Sequence, residues 1–195
     1  MKRFLDVAFA LLGLAFTSPI FLIISCWVRL DSPGPIFFKQ DRVGRNGDPF
    51  TIHKFRSMRV DQGGALVTVG DDPRITRSGR FIRRTKLDEL PQLFDVLRGR
   101  MSLVGPRPEV REYVDLWPVR SRSLILSVRP GITDPASIRF RNESELLALA
   151  QDPEAEYRNV VLPMKVRLYE EYVENQTLSG DLKIIMKTLA SVLNG

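Results

Sequence analysis

The sequence predicts an α+β fold, mostly helical, behind an apolar segment that seeks a membrane. Three observations carry this. Residues 7–28 hold no charged side chain. Short strand-like pieces lie among glycine and proline turns between residues 31 and 58. Helical spacing then dominates from residue 143 to the end. With 195 residues, 44% apolar and 27% charged, the remainder is about one globular domain with a small appendage.

The apolar run exceeds the roughly 20 residues that a helix needs to span a bilayer. It has no polar face, as a buried amphipathic helix would, and no small-residue cleavage site of the signal-peptide kind. Ser18-Pro19 sits in its middle, where Pro19 removes a backbone donor and predicts a kink, with Ser18 placed to satisfy a freed group. Lys2 and Arg3 precede the run, and Arg29, Lys39, Arg42 and Arg45 follow it. The positive-inside rule prefers both flanks on one face. A hairpin entering and leaving one leaflet satisfies this, and a single kinked spanning helix is the alternative. Cys26 reads as a small hydrophobe of this segment, and Trp27 beside Arg29 as an interfacial anchor.

After the apolar run, residues 36–38 and 51–58 are strand candidates between turns. Residues 62–72 read as a mobile loop. Asp71-Asp72 is a candidate metal-ligand pair, although a solvated turn before Pro73 is the commoner outcome. Residues 93–97 form a short helix ending near Gly99. Helices are expected over 143–150, 156–175 and 181–193. In the last, Leu182, Ile185, Met186 and Leu189 make an apolar stripe opposite Lys183 and Lys187. Such a helix packs on the core or lies on a membrane, core packing being the commoner outcome.

The net charge of +6 favours an anionic partner: nucleic acid, lipid headgroups or phosphorylated metabolites. One cysteine excludes an internal disulfide, and one histidine, His53, excludes a His-rich metal cage. A metal here needs oxygen ligands, which points to magnesium. His53 reads as an ordinary packed or exposed histidine.

The densest chemistry lies between residues 74 and 111, where ten Lys or Arg residues surround few acids. In that field sits Thr85-Lys86-Leu87-Asp88-Glu89-Leu90-Pro91-Gln92. Pro91 restricts where a helix begins. Either Asp88 is its N-cap, or Thr85 is the cap and Asp88 completes a capping box. Capping alone explains many such acids. The surrounding arginines point further, to a phosphorylated substrate held bidentately. A carboxylate among them suits phosphoryl transfer as nucleophile or metal ligand.

Several motifs occur in one order. Ser18-Pro19 comes first, then Lys54-Phe55-Arg56-Ser57-Met58, then Arg83-x-Thr85-x-x-Asp88-Glu89-Leu90-Pro91-Gln92. Ser102-Leu103-Val104-Gly105-Pro106-Arg107-Pro108 and Arg129-Pro130-Gly131-Ile132-Thr133 follow. Over residues 1–141 the chain thereby resembles the small monotopic phosphoglycosyl transferases of the bacterial sugar transferase family. The resemblance implies transfer of a sugar-1-phosphate from a UDP-sugar to undecaprenyl phosphate, with release of UMP. It implies Asp88 as covalent nucleophile, Glu89 as its partner acid, and magnesium at the same pair. Lys54, Arg56, Arg83, Arg107 and Arg141 match basic positions around the substrate phosphates. Ser18 and Pro19 match the break of a re-entrant membrane hairpin over residues 1–30. Residues 31–195 become a catalytic body on the cytoplasmic face of the bacterial inner membrane. Membrane lipids are expected partners and nucleic acid is not; a homodimer is left open. The segment Asp134-Pro135-Ala136-Ser137-Ile138-Arg139-Phe140 departs from the family pattern, so the particular sugar is not legible. The rival reading is a membrane-tethered basic adaptor without catalysis, which gives no purpose to the Asp88–Gln92 or Ser102–Pro108 motifs.

Overall fold

In the computed structural model, which describes residues 1–60, 67–70 and 72–193, the apolar segment is helix α1, Lys2–Asp31. Pro19 lies inside it, and where a helix-break-helix was expected over residues 1–30 the chain forms one helix through Ser18-Pro19. Lacking an N–H, Pro19 cannot bond the Ala15 carbonyl, and Ser18 Oγ donates to that carbonyl instead at 2.9 Å. Thr17 Oγ1 and Ser25 Oγ donate to Gly13 O and Phe21 O, each at 2.7 Å. One stripe of α1 is buried, at Asp6, Ala10, Ile24 and Val28. The opposite face is apolar yet open, with Phe16 80% and Leu30 87% exposed.

Both ends of α1 are tied to the same body. At the start, Lys2 Nζ donates to Asp181 Oδ2 at 2.5 Å and to Val104 O at 3.0 Å. Asp6 accepts from Ser102 Oγ at 2.9 Å and from Leu103 N at 3.1 Å. At the end, Arg56 donates to Val28 O at 3.1 Å, to Ser32 O at 2.7 Å and to Pro33 O. Asp31 accepts from the Ser78 backbone N–H and hydroxyl, both at 2.8 Å. Between the ends, Ala10 packs with Ile52, Val96 and Met101, and Ile24 and Val28 pack with Phe55 and Ile82.

Strands β1, Phe37–Val43, and β2, Pro49–Phe55, form an antiparallel hairpin in register Phe37↔Phe55. Its turn uses positive φ at Asn46 (60°) and Gly47 (85°). β1 is longer than the apolar residues 36–38 suggested, because a two-stranded ribbon leaves Lys39 and Asp41 free to face solvent. Helix α2, Arg77–Arg84, is capped by Thr76 Oγ1, which accepts from Gly79 N at 2.9 Å. A 3₁₀ turn, Leu87–Glu89, leads to α3, Gln92–Leu97, which closes on Gly99 at φ 80° as expected.

The two remaining strands explain two of the motifs. β3, Ser102–Val104, pairs in parallel with β4, Gly131–Thr133. Where their backbones cross, a Cβ on Gly131 would lie 2.1 Å from Gly105 N, so only glycine fits. Helices α4 (Arg111–Val114), α5 (Val119–Ile125), α6 (Pro135–Arg139), α7 (Glu143–Ala148) and α8 (Pro153–Glu156) follow. The expected helix over 156–175 divides into a π turn, Tyr157–Val161, and α9, Leu162–Glu174. Pro163 at the start of α9 cannot donate to the preceding turn, and the Leu162 N–H reaches back five residues to Tyr157 O. α9 carries Tyr169, wholly buried in the largest core cluster with Val114, Leu147 and Val161.

α10, Leu178–Leu193, corrects the expectation of core packing. Leu182, Met186 and Leu189 remain exposed at 53%, 59% and 53%. The face that packs is anchored by polar groups, with Ile184 and Ile185 half-buried among them: Asp181 binds Lys2 and Tyr172, and Thr188 Oγ1 meets Thr133 Oγ1 at 2.7 Å. Most of the expected loop at 62–72, and Asp71, lie outside the described residues. Asp72 closes a turn by accepting from Arg74 Nη2 at 2.6 Å.

Candidate active site

Neither expected cap holds at the carboxylate pair. Thr85 is the C-cap of α2, its hydroxyl donating back to Phe81 O at 2.9 Å. Lys86 then takes a left-handed conformation, φ 56°, rare for a side chain of this size. That reversal ends α2 and throws Asp88 and Glu89 into the separate 3₁₀ turn. α3 begins only after Pro91, which stands at its N-cap position. The pair is therefore presented by a strained connection between two short helices.

The two acids differ sharply. Glu89 is saturated by cations: Lys54 Nζ donates to Oε1 at 2.8 Å, and Arg107 reaches Oε1 at 2.5 Å and Oε2 at 3.3 Å. Lys54 comes from β2, and Arg107 from the turn that leaves β3. The β3–β4 crossing at Gly105 and Gly131 thus aims the guanidinium. Burial works against the Glu89 charge, but Arg107 and Lys54 overcome it and hold the carboxyl well below its usual range. Glu89 in turn holds the Arg107 guanidinium well above its own.

Asp88 is equally enclosed, 8% exposed, and its Oδ1 is buried with no hydrogen-bond partner. Burial and then the adjacent Glu89 charge push its carboxyl up, against the pull of Lys54, Arg83 and Lys86. A desolvated carboxylate without a donor is a stronger base and nucleophile than a solvated one. An orphaned acceptor inside a cationic shell is also a lone-pair donor free to meet a metal ion or an electrophilic phosphorus. Among the described residues no group of three or more Asp, Glu, His or Cys side chains forms a metal cage. The donor set still fits magnesium, which binds through one or two carboxylates together with substrate phosphates. Asp88 Oδ1 is the free protein ligand, with Glu89 beside it.

Of the expected phosphate-binding residues, Lys54, Arg83 and Arg107 gather around the pair. Arg56 and Arg141 are placed elsewhere. Arg56 is 3% exposed, and its guanidinium is taken up by carbonyls at the end of α1. Arg141 donates to the Ser191 carbonyl of α10. His53 pairs with the fully buried Asp95, Nδ1 to Oδ1 2.9 Å.

Residues not anticipated are Lys86, Glu109, Arg42 and Asp134. Lys86 adds a cation on the strained residue itself. Behind Arg107, buried Glu109 accepts from Arg42 Nη1 at 3.3 Å and from the Tyr157 hydroxyl at 3.1 Å. Asp134, wholly buried, caps α6 by accepting from Ala136 N at 2.6 Å and Ser137 N at 3.0 Å. Asp134-Pro135 carries the cap-then-proline signature of a helix start, which the sequence did display.

An open apolar helix bound at both ends to a body whose centre is a carboxylate pair in a cationic shell defines a class: a protein built to handle anionic groups beside an apolar phase. The comparisons narrow this. The bacterial sugar transferase family model matches residues 1–195, and the chain belongs to that family. It is 36% identical, over 100% of its length and 44% of the relative's, to the UDP-N-acetylgalactosamine-undecaprenyl-phosphate N-acetylgalactosaminephosphotransferase of Aeromonas hydrophila. It is 37% identical, over 97% of its length and 39% of the relative's, to the UDP-glucose:undecaprenyl-phosphate glucose-1-phosphate transferase of Escherichia coli K12. A protein of the same name from Caulobacter vibrioides is 38% identical over 98% of this chain and 69% of its own. The chain thus spans about two fifths of the first two relatives.

Proposed function

We propose that this chain transfers a sugar-1-phosphate from a UDP-sugar to undecaprenyl phosphate, a membrane step that initiates polysaccharide or other glycoconjugate assembly. The observation that carries the reading is the unpartnered, buried Oδ1 of Asp88 next to a Glu89 already neutralised by Lys54 and Arg107. The named activities of relatives matching nearly the whole chain support it.

The reaction runs by double displacement. An Asp88 carboxylate oxygen attacks the β-phosphorus of the UDP-sugar. The bond from that phosphorus to the bridging oxygen breaks, and UMP leaves with the oxygen and its electron pair. The sugar-phosphate is then an acyl phosphate on Asp88. A phosphate oxygen of undecaprenyl phosphate attacks the same phosphorus, the carboxylate departs, and a lipid diphosphate sugar remains. Arg83, Lys86 and Lys54 offset charge around the nucleophile, while Arg107 and Lys54 fix Glu89. Magnesium, which Asp88 would hold with Glu89 beside it and with the substrate diphosphate, would supply further charge neutralisation.

The hydrogen bonds at both ends of α1 support a helix that enters and leaves one leaflet. A helix crossing roughly 30 Å of hydrocarbon would carry its far end away from a body on one side. That body sits on the cytoplasmic face, where UDP-sugars are made. The test is UMP release with both substrates across a panel of UDP-sugars: Asp88→Asn abolishes it while the variant stays folded. Full activity in that variant refutes the assignment.

A further inference from the structure

Around its axis α2 presents three faces. Ser78, Gly79 and Ile82 are buried, and Gly79 is pressed so closely that a Cβ would lie 2.0 Å from Ser57 O. Arg83 acts on Asp88. The third face carries Arg77, Arg80 and Arg84, all exposed. Their spacing places them within about 60° of one another around the helix. Among the described residues none of the three makes a side-chain hydrogen bond or ion pair; Asp31, already engaged by Ser78, is the acid that feels Arg77.

This face is locked to the end of the apolar helix. Asp31 of α1 caps Ser78, and the rings of Trp27 and Phe81 pack at 5.4 Å between centroids. Both rings remain partly open, 39% and 49% exposed, and Arg29 on the last turn of α1 is exposed as well. A row of unpaired like charges repels itself and lowers stability unless an anionic surface faces it. Its location, beside aromatic rings at the point where the apolar surface of α1 ends, is the depth of a headgroup layer. A neutral headgroup would leave those charges uncompensated.

We propose that the outer face of α2, with Trp27 and Arg29, is a docking surface for anionic phospholipid headgroups of the bilayer that receives α1. This rests on the membrane part of the functional reading and not on its chemistry. Each arginine contributes roughly a five-fold preference for an anionic surface.

Trp27 provides the probe, since the other tryptophan, Trp117, is 3% exposed. The full chain is reconstituted in phosphatidylcholine vesicles containing a small, equal fraction of brominated phosphatidylglycerol or brominated phosphatidylcholine. Wild-type fluorescence is quenched several-fold more by the brominated phosphatidylglycerol, and added salt narrows the gap. The combined Arg77→Gln, Arg80→Gln, Arg84→Gln variant cuts the preference to the few-fold share left to Arg29, while quenching by brominated phosphatidylcholine persists and shows that α1 is still embedded. Equal quenching in the wild type, or a preference undiminished in the triple variant, overturns the proposal. A raised KM for undecaprenyl phosphate with unchanged phosphatidylglycerol preference would also overturn it, reassigning the face to the acceptor. UMP release in neutral detergent stays as in the wild type for the triple variant. Its absence from the wild type would count against the transferase reading alone.

Discussion

Asp88 and Glu89 are chain neighbours of the same charge, yet neutralising them should move stability in opposite directions. Glu89→Gln removes the partner of two cations whose side chains are 17% and 28% exposed, against 12% for Glu89. Breaking a buried ion pair from one side costs about 3–5 kcal/mol, and the partial exposure here favours the lower end. At about 3 kcal/mol a chain of this size loses roughly 6–12 °C in Tm. Asp88→Asn instead replaces a buried charge whose Oδ1 accepts no hydrogen bond by a neutral amide, which should gain about 1 kcal/mol, or roughly 2–4 °C.

The two effects carry opposite pH signatures. The Glu89 carboxyl lies below its usual value, so its stabilisation is present above about pH 4.3 and is lost as pH falls through the folded value. The Asp88 carboxyl is raised, so stability drops as pH rises through its folded value. The Asp88→Asn advantage should therefore be full at pH 7.5 and shrink in acid. Thermal unfolding of both variants and wild type, in one detergent across pH, reads this. A destabilised Asp88→Asn at neutral pH, or an advantage indifferent to pH, would refute the reasoning.

Three further outcomes follow from the same geometry. Arg107→Lys keeps the charge but loses the two-pronged contact with Glu89, and kcat/KM for the UDP-sugar should fall roughly 10–100-fold, consistent with about 1.5–3 kcal/mol for a charged hydrogen bond. The acid limb of the kcat/KM profile should lie above the ordinary aspartate value, because Asp88 must be ionised to attack and is hard to ionise; a limb at or below 3.8 contradicts this. Gly131→Ala should fail to yield folded protein by circular dichroism, whereas Gly47→Ala, whose Cβ meets nothing within 4 Å, should fold with only the strain of its positive φ.

Much of this was legible in the residues. The uncharged run foretold α1, and Ser18 satisfies the carbonyl freed by Pro19 as the chemistry of the pair suggested. Gly99 ends α3 where a C-terminal glycine should. The motif residues Lys54, Arg83, Asp88, Glu89 and Arg107 converge although they are scattered from residue 54 to 107.

What was not legible depends on tertiary contact or on an improbable backbone. No local rule puts Lys86 at positive φ, so the spacing from Thr85 to Pro91 read as a helix start when it is a break between two helices. Arg56 looks like a phosphate ligand in a basic strand, and only the return of α1 over β2 reveals the carbonyls it binds. The stripe on α10 resembles a core face. The reversal follows from Asp181, Tyr172 and Lys2, a long-range polar cluster that a helical period cannot disclose. Arg42 and Glu109 likewise meet only through the folded hairpin.

The central claim is that Asp88 forms a covalent bond to phosphorus. Purified chain incubated with magnesium and a UDP-sugar accepted in the release assay, but without undecaprenyl phosphate, should gain the mass of one sugar-phosphate. Peptide mapping should place it on Asp88, and adding the acceptor should discharge it. UMP release that requires both substrates together, with no adduct under any quench, would contradict the account.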